Sequence, residues 1–228
     1  MNAKKIIALL LALMFCFMAA FAEEGETADE IDAAQNEENE IAGIGYIDPY
    51  EEFYVVVPVE WAVIGVGSTP QNLEDAERIL EGTGIDPYEI YDSLYPDNPD
   101  KRNCTLICLA SDAKTGMTLT YGTSEYVTNS AMIDQMDAIK SEIKAQVPNL
   151  SFVDAECGSY SFKSLENILH LRMRYGESFI DQYYLINGTT MFLFTFYNAS
   201  EENINAVFYF FKTGVKEFDK EVAVVDGN

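Results

Sequence analysis

Apolar and polar positions follow several different periods along the chain, and each period predicts an element. Phe53 to Val57 is a β-branched and aromatic run. Pro58 stops it and Trp61 to Val66 resumes it, which predicts a strand with a proline-marked bend. Asn72 to Glu81 predicts a short helix ended by Gly82 and Gly84. Asp86-Pro87-Tyr88-Glu89 has the form of a capping box, with Asp accepting from the first turn and Pro where no N–H is needed. The helix it opens stops at Pro96. Ile47-Asp48-Pro49-Tyr50-Glu51 repeats the same pentapeptide 38 positions earlier. No wider similarity surrounds it, so one cap or turn is used twice.

Asn103 to Ala110 and Met117 to Tyr121 predict two strands joined by a turn at Asp112 to Gly116. Between Thr128 and Val147, Met132, Met136, Ile139, Ile143 and Val147 recur at spacings of three and four, which predicts one long amphipathic helix closed by Pro148. Four extended segments follow: Ser151 to Cys157, Asn167 to Tyr175, Phe179 to Ile186 and Thr190 to Tyr197. Asn187-Gly188 marks a hairpin between the last two. A final helix from Glu201 to Glu217 puts Ile204, Val207, Phe208, Phe211 and Val215 on one face. Met191 to Tyr197 is apolar on both faces and needs cover on both. The class expected is α+β, a mostly antiparallel sheet covered by helices on both faces.

The ends of the chain change this picture. Lys4 and Lys5 precede an apolar run from Ile6 to Phe21, and Ala20-Phe21-Ala22 supplies the small residues a signal peptidase needs. Residues 1–22 are expected to be a signal peptide, with Glu23 as the mature N-terminus. An uncleaved N-terminal anchor is the alternative. Bulky residues before Cys16 disfavour a lipid anchor. Residues 23–45 hold nine acidic residues and no basic one, the composition of a disordered acidic linker. Residues 46–228 are then one globular domain. No second long apolar run follows, so no integral membrane segment is expected after cleavage.

The order of elements resembles a known family. It comprises an opening strand closing on Val57-Pro58-Val59-Glu60-Trp61 and a long central helix. Antiparallel strands follow, including Asp181 to Ile186 and Met191 to Phe196, then a C-terminal helix near Phe210-Phe211-Lys212. It is similar to the PsbP-like α/β/α sandwich family, over about Tyr46 to Phe218. The inserted helical stretch between Trp61 and Asn103 departs from that pattern. The resemblance implies a secreted binding or assembly module without catalytic residues. The alternative fold is cystatin-like, a curved sheet around one long helix.

Charge and chemistry narrow the function. The chain of 228 residues carries 38 acidic and 14 basic residues, net −24. A nucleic-acid partner is not expected, because such affinity comes from clustered Lys and Arg. His170 is the one histidine. Histidine zinc motifs, nucleotide-cofactor motifs and the nucleophile elbow are lacking, so no cofactor or metal site is expected. Cys104 and Cys108 lie about 13 Å apart along a strand and cannot bond to each other. Either one of them pairs with Cys157, or all three are buried thiols. A Cys157–His170 nucleophile pair has no local support. Tyr88, Tyr91 and Tyr95 form a stripe that is either packed or ligand-binding. Glu51-Glu52, Glu201-Glu202 and the acids of Asp97 to Asp100 read as solvated. Asn103, Asn149, Asn187 and Asn198 begin glycosylation sequons.

One group stands out. Ile168, His170, Arg172 and Arg174 share a face of their strand, so two of the four arginines point one way in an acidic chain. They are either paired with carboxylates or free to dock an acidic partner or a carboxylate ligand. The functional expectation is a secreted or extracytoplasmic, non-catalytic binding or assembly module for a protein or cell-envelope component, with His170, Arg172 and Arg174 as candidate partner-binding residues. The alternative is a secreted hydrolase using a carboxylate pair.

Overall fold

The computed structural model describes residues 43–48, 53–94, 106–162 and 165–214. Their elements form an α+β fold with two sheets in which every strand pair is antiparallel. The smaller sheet joins β1 (Gly43–Ile47), β2 (Phe53–Pro58) and the two-residue β11 (Lys212–Thr213). The larger has the order β3-β4-β5-β10-β9-β8-β6, with β7 also on β8. Its strands are β3 (Ala62–Gly65), β4 (Leu106–Leu109), β5 (Gly116–Thr123), β6 (Ser151–Phe152), β7 (Gly158–Phe162), β8 (Leu165–Tyr175), β9 (Ser178–Asn187) and β10 (Thr190–Tyr197).

Five helices complete the described chain: α1 (Pro70–Ile79), α2 (Pro87–Leu94), α3 (Asn129–Ile133), α4 (Met136–Gln146) and α5 (Glu201–Phe210). None is long and apolar enough to cross a membrane. Thr69 caps α1 with Asn72 in a capping box, and Asp86 accepts from the Tyr88 amide at the start of α2.

Period two along the central strands sorts their side chains between two cores. Phe192, Phe194 and Phe196 of β10 pack with Val207 and Phe208 of α5 and with Phe53 and Val55 of β2. Met191 and Leu193, between them, pack with Ile139 and Ile143 of α4. Every residue from Met191 to Phe196 is buried. A third core joins Ile64 and Ile107 to Leu73 and Leu80 of α1 and its following turn. Tyr91 leans on that core while Tyr88 is exposed, and Tyr95 lies outside the described residues. The expected hairpin closes at Asn187 and Thr190, with Gly188 at φ 61, a conformation that favours glycine.

Several expectations are corrected. Phe53 to Val66 is not one bent strand: Pro58 ends β2 in one sheet, and the chain re-enters the other as β3. The long helix is broken at Asp134-Gln135, where the Gln135 amide donates to the Met132 carbonyl and tightens the turn. Its apolar face continues through the break, with Met132, Ile139 and Ile143 in one core. The longest described helix has 11 residues, so the single long helix of the cystatin-like alternative is not found among the described residues. Ser151 to Cys157 is not a single strand but β6 followed by a 3₁₀ turn, Asp154–Glu156. The last helix ends at Phe210, because Lys212 and Thr213 pair with β2. Gly43 to Gly45, read as linker, belong to β1. Cys108 and Cys157 pack into different cores, so they do not bond to each other. Cys104 lies outside the described residues. Two sequon side chains are engaged: Asn187 donates to Thr213 Oγ1, and Asn198 donates to the Lys114 carbonyl while accepting from the Phe179 amide.

Candidate functional site: a polar cleft at the start of helix α5

The aromatic core under α5 gives way to polar residues toward one end of the same sheet face. On β9, Leu185 and Tyr183 are core residues, Asp181 follows two positions away, and Phe179 is exposed. On β8 the matching steps are Ile168, His170, Arg172 and Arg174. Register places His170 opposite Tyr183, Arg172 opposite Asp181 and Arg174 opposite Phe179. The Tyr183 ring stacks on His170 with centroids 4.3 Å apart and planes 8° from parallel.

The polar groups here are tied to one another. His170 Nε2 lies 2.7 Å from Asp181 Oδ1, and both residues are buried. Arg172 Nη1 donates to Glu156 Oε2 at 3.0 Å. Its Nε lies 3.8 Å from Asp181 Oδ1, close enough for attraction but too far for a hydrogen bond. Strand β7 brings Tyr160 edge-on to His170 and to Tyr183, with centroids 5.6 and 5.8 Å away. Glu201, in the first turn of α5, lies close enough to Tyr160 for its charge to act on the phenol. Ser200 caps that helix by accepting from the Asn203 amide. These groups line a cleft of about 670 Å³ between β7, β8, β9 and α5.

Burial, and then the charge of Asp181, hold the Tyr183 phenol well above its ordinary pKa. Burial, followed by Glu201 and Asp181, also raises the pKa of Tyr160. Both phenols therefore stay protonated at neutral pH, each with a proton to donate.

The three residues singled out from sequence do share a face, and they differ in availability. His170 is buried against Asp181, and Arg172 is ion-paired, so for these two the pairing with carboxylates is what the structure shows. Arg174 is exposed, donates from Nε to the Gly176 carbonyl at 3.0 Å, and has no ion pair among the described residues. Both guanidiniums lie near the Phe179 ring, 4.9 Å for Arg172 and 5.7 Å for Arg174. Cys157 is not a partner of His170: its thiol donates to the Val153 and Arg172 carbonyls and packs toward α4. Among the described residues no group of three or more His, Cys, Asp or Glu is arranged to hold a metal.

Sequence reasoning did not single out Asp181, Glu156, Tyr160 or Glu201 as members of one site. A signal for Tyr160 existed, since Ser159 and Ser161 alternate with Tyr160 and Phe162 as in a half-buried strand. Nothing local announces the others, which meet only through strand register and the 3₁₀ turn.

In fold, the chain is similar to the solution structure of cyanobacterial PsbP (CyanoP) from Synechocystis sp. PCC 6803. The TM-score is 0.44 and the identity 9%, over 79% of this chain and 98% of that one. It is also similar to a crystal structure from Bacteroides thetaiotaomicron, with a TM-score of 0.39 and 10% identity, over 75% of this chain and 48% of that one. No protein-family model matches the chain, and no curated protein matches its sequence.

Proposed function

We propose that the protein is a non-catalytic binding or assembly module that works outside the cytoplasm and receives a protein or cell-envelope component at the α5 cleft. One observation carries this reading: two of the three carboxylates that line the cleft, Asp181 and Glu156, are held by neighbouring basic side chains. Asp181 is engaged by His170 and approached by Arg172, and Glu156 is engaged by Arg172. A carboxylate pair for hydrolysis needs one free acid and one free base facing the same bond, and these acids are already committed to structural partners. The export pattern of residues 1–22 supports the location, and the PsbP-like helix–sheet–helix layering is the architecture we assign to the domain.

Site-specific photocrosslinking tests the reading. A photoreactive side chain at Ser159, on the cleft wall, is expected to capture an envelope component that the same probe at the exposed Glu81 on the α1 side does not. Equal capture from both positions, or none from Ser159, would refute it. Turnover in a hydrolase panel that Glu156→Gln or Glu201→Gln abolishes would establish the enzyme instead.

A further inference from the structure

The chemistry of the cleft also limits what enters it, and this inference rests on the binding reading above. Three carboxylates, Glu156, Asp181 and Glu201, line it with a single guanidinium, that of Arg172. An anionic ligand meets that local excess and the field of a chain with net charge −24. A cationic ligand is drawn by that field but finds only Glu201 without a basic partner among the described residues. Arg172 already occupies Glu156 and lies 3.8 Å from Asp181, and a single exposed ion pair adds little. An apolar ligand would strip water from Arg172, Glu156 and Glu201 without replacing their hydrogen bonds, which costs more than its own burial returns.

A neutral molecule whose groups both donate and accept meets none of these objections. Hydroxyls donate to Glu201 and Glu156 and accept from the Tyr160 phenol and the Arg172 guanidinium, with no change in net charge. Tyr160 adds a flat apolar surface. Its ring is half-buried and held in place by His170, Tyr183 and Phe162, the last with centroids 4.8 Å apart. A ring fixed in this way loses little entropy when a ligand stacks on it. The volume, about 670 Å³, lies within the range of small-molecule sites. We propose that the cleft binds a neutral carbohydrate, with Tyr160 as the stacking platform and Glu201 and Arg172 as hydroxyl-binding groups.

The test is an amide NMR titration of the folded protein with neutral cello-, malto- and chito-oligosaccharides, each at about 10 mM to detect millimolar binding. The expected result is a saturable shift confined to residues near 156–160, 170–183 and 199–201 with at least one neutral sugar. Tyr160→Ala and Glu201→Gln, both verified as folded by their amide spectra, are each expected to weaken binding about tenfold or more. Oligogalacturonate and an acidic peptide serve as anionic probes. If only an anionic probe shifts the cleft, or no neutral sugar does, the carbohydrate assignment is overturned. Should Ser159 still crosslink specifically in that case, the binding reading survives without the sugar; if it does not, both fall.

Discussion

The two ends of helix α5 cover the same face of the same sheet and do opposite things. Toward its C-terminal half, Phe208 stacks on Phe162 at 4.1 Å and touches Phe194 and Phe196, all fully buried or nearly so. Toward its N-terminus, the strands beneath present His170, Asp181 and Arg172 in place of phenylalanines. Backbone geometry is continuous between the two regions, since β8 and β9 keep one register from Leu169–Tyr184 to Tyr175–Ser178. Side-chain choice alone therefore turns a packed core into a cleft. Aromatic rings fill space without needing partners. Charged groups must be hydrogen-bonded, and their fixed geometry leaves volume unfilled.

The largest effect is expected at the aromatic end. Phe208→Ala removes a fully buried ring and should cost about 3–5 kcal/mol, read as a fall in the urea midpoint. A loss below about 1 kcal/mol would mean that α5 is not the main cover of this face. At the polar end, Asp181→Ala leaves His170 Nε2 without its acceptor and should cost about 1–3 kcal/mol. Replacing both partners, as in His170→Phe with Asp181→Leu, should recover most of that loss, because buried pairs contribute little beyond their own desolvation. If the double variant is no better than the single one, the pair does more than satisfy itself, and the contrast between the two ends is sharper than drawn.

The smallest effect lies away from both, in the turn between β4 and β5. Asp112 accepts from the Lys114 and Thr115 amides and from the Thr115 hydroxyl, each at 2.8 Å. Burial works to raise its pKa, but these hydrogen bonds outweigh it and hold the carboxyl below its ordinary value. A depressed folded-state pKa stabilises the protein above the unfolded value, about 3.9, and that contribution is lost as pH falls through the folded value. Asp112→Asn should therefore melt below wild type at pH 6, with the gap closing in acid. A gap that widens as pH falls would contradict the assignment.

The parts of the fold carried by short-range periodicity were legible. The alternating faces of β8, the hairpin at Asn187-Gly188, the cap at Asp86 and the doubly buried β10 all follow from residues within about ten positions of one another. The misreadings share a cause. Whether Pro58 bends a strand or ends it depends on which sheet receives Ala62. Whether Lys212 continues a helix depends on β2 being within reach to pair with it. Glu156 comes to Arg172 because a 3₁₀ turn interrupts what reads as one extended segment.

Composition and period, acting locally, determined an acidic α+β chain with alternating strand faces and placed His170, Arg172 and Arg174 on one of them. Tertiary structure decided which of those side chains are already paired. Arg172 and His170 meet carboxylates from Glu156 and Asp181, whereas Arg174, among the described residues, reaches a carbonyl and a ring and no carboxylate. The physical reason is that ion pairing falls off within a few ångströms. Partners 11 and 16 residues apart are brought within that range by register and by one turn, neither of which is written in the pattern of any single segment.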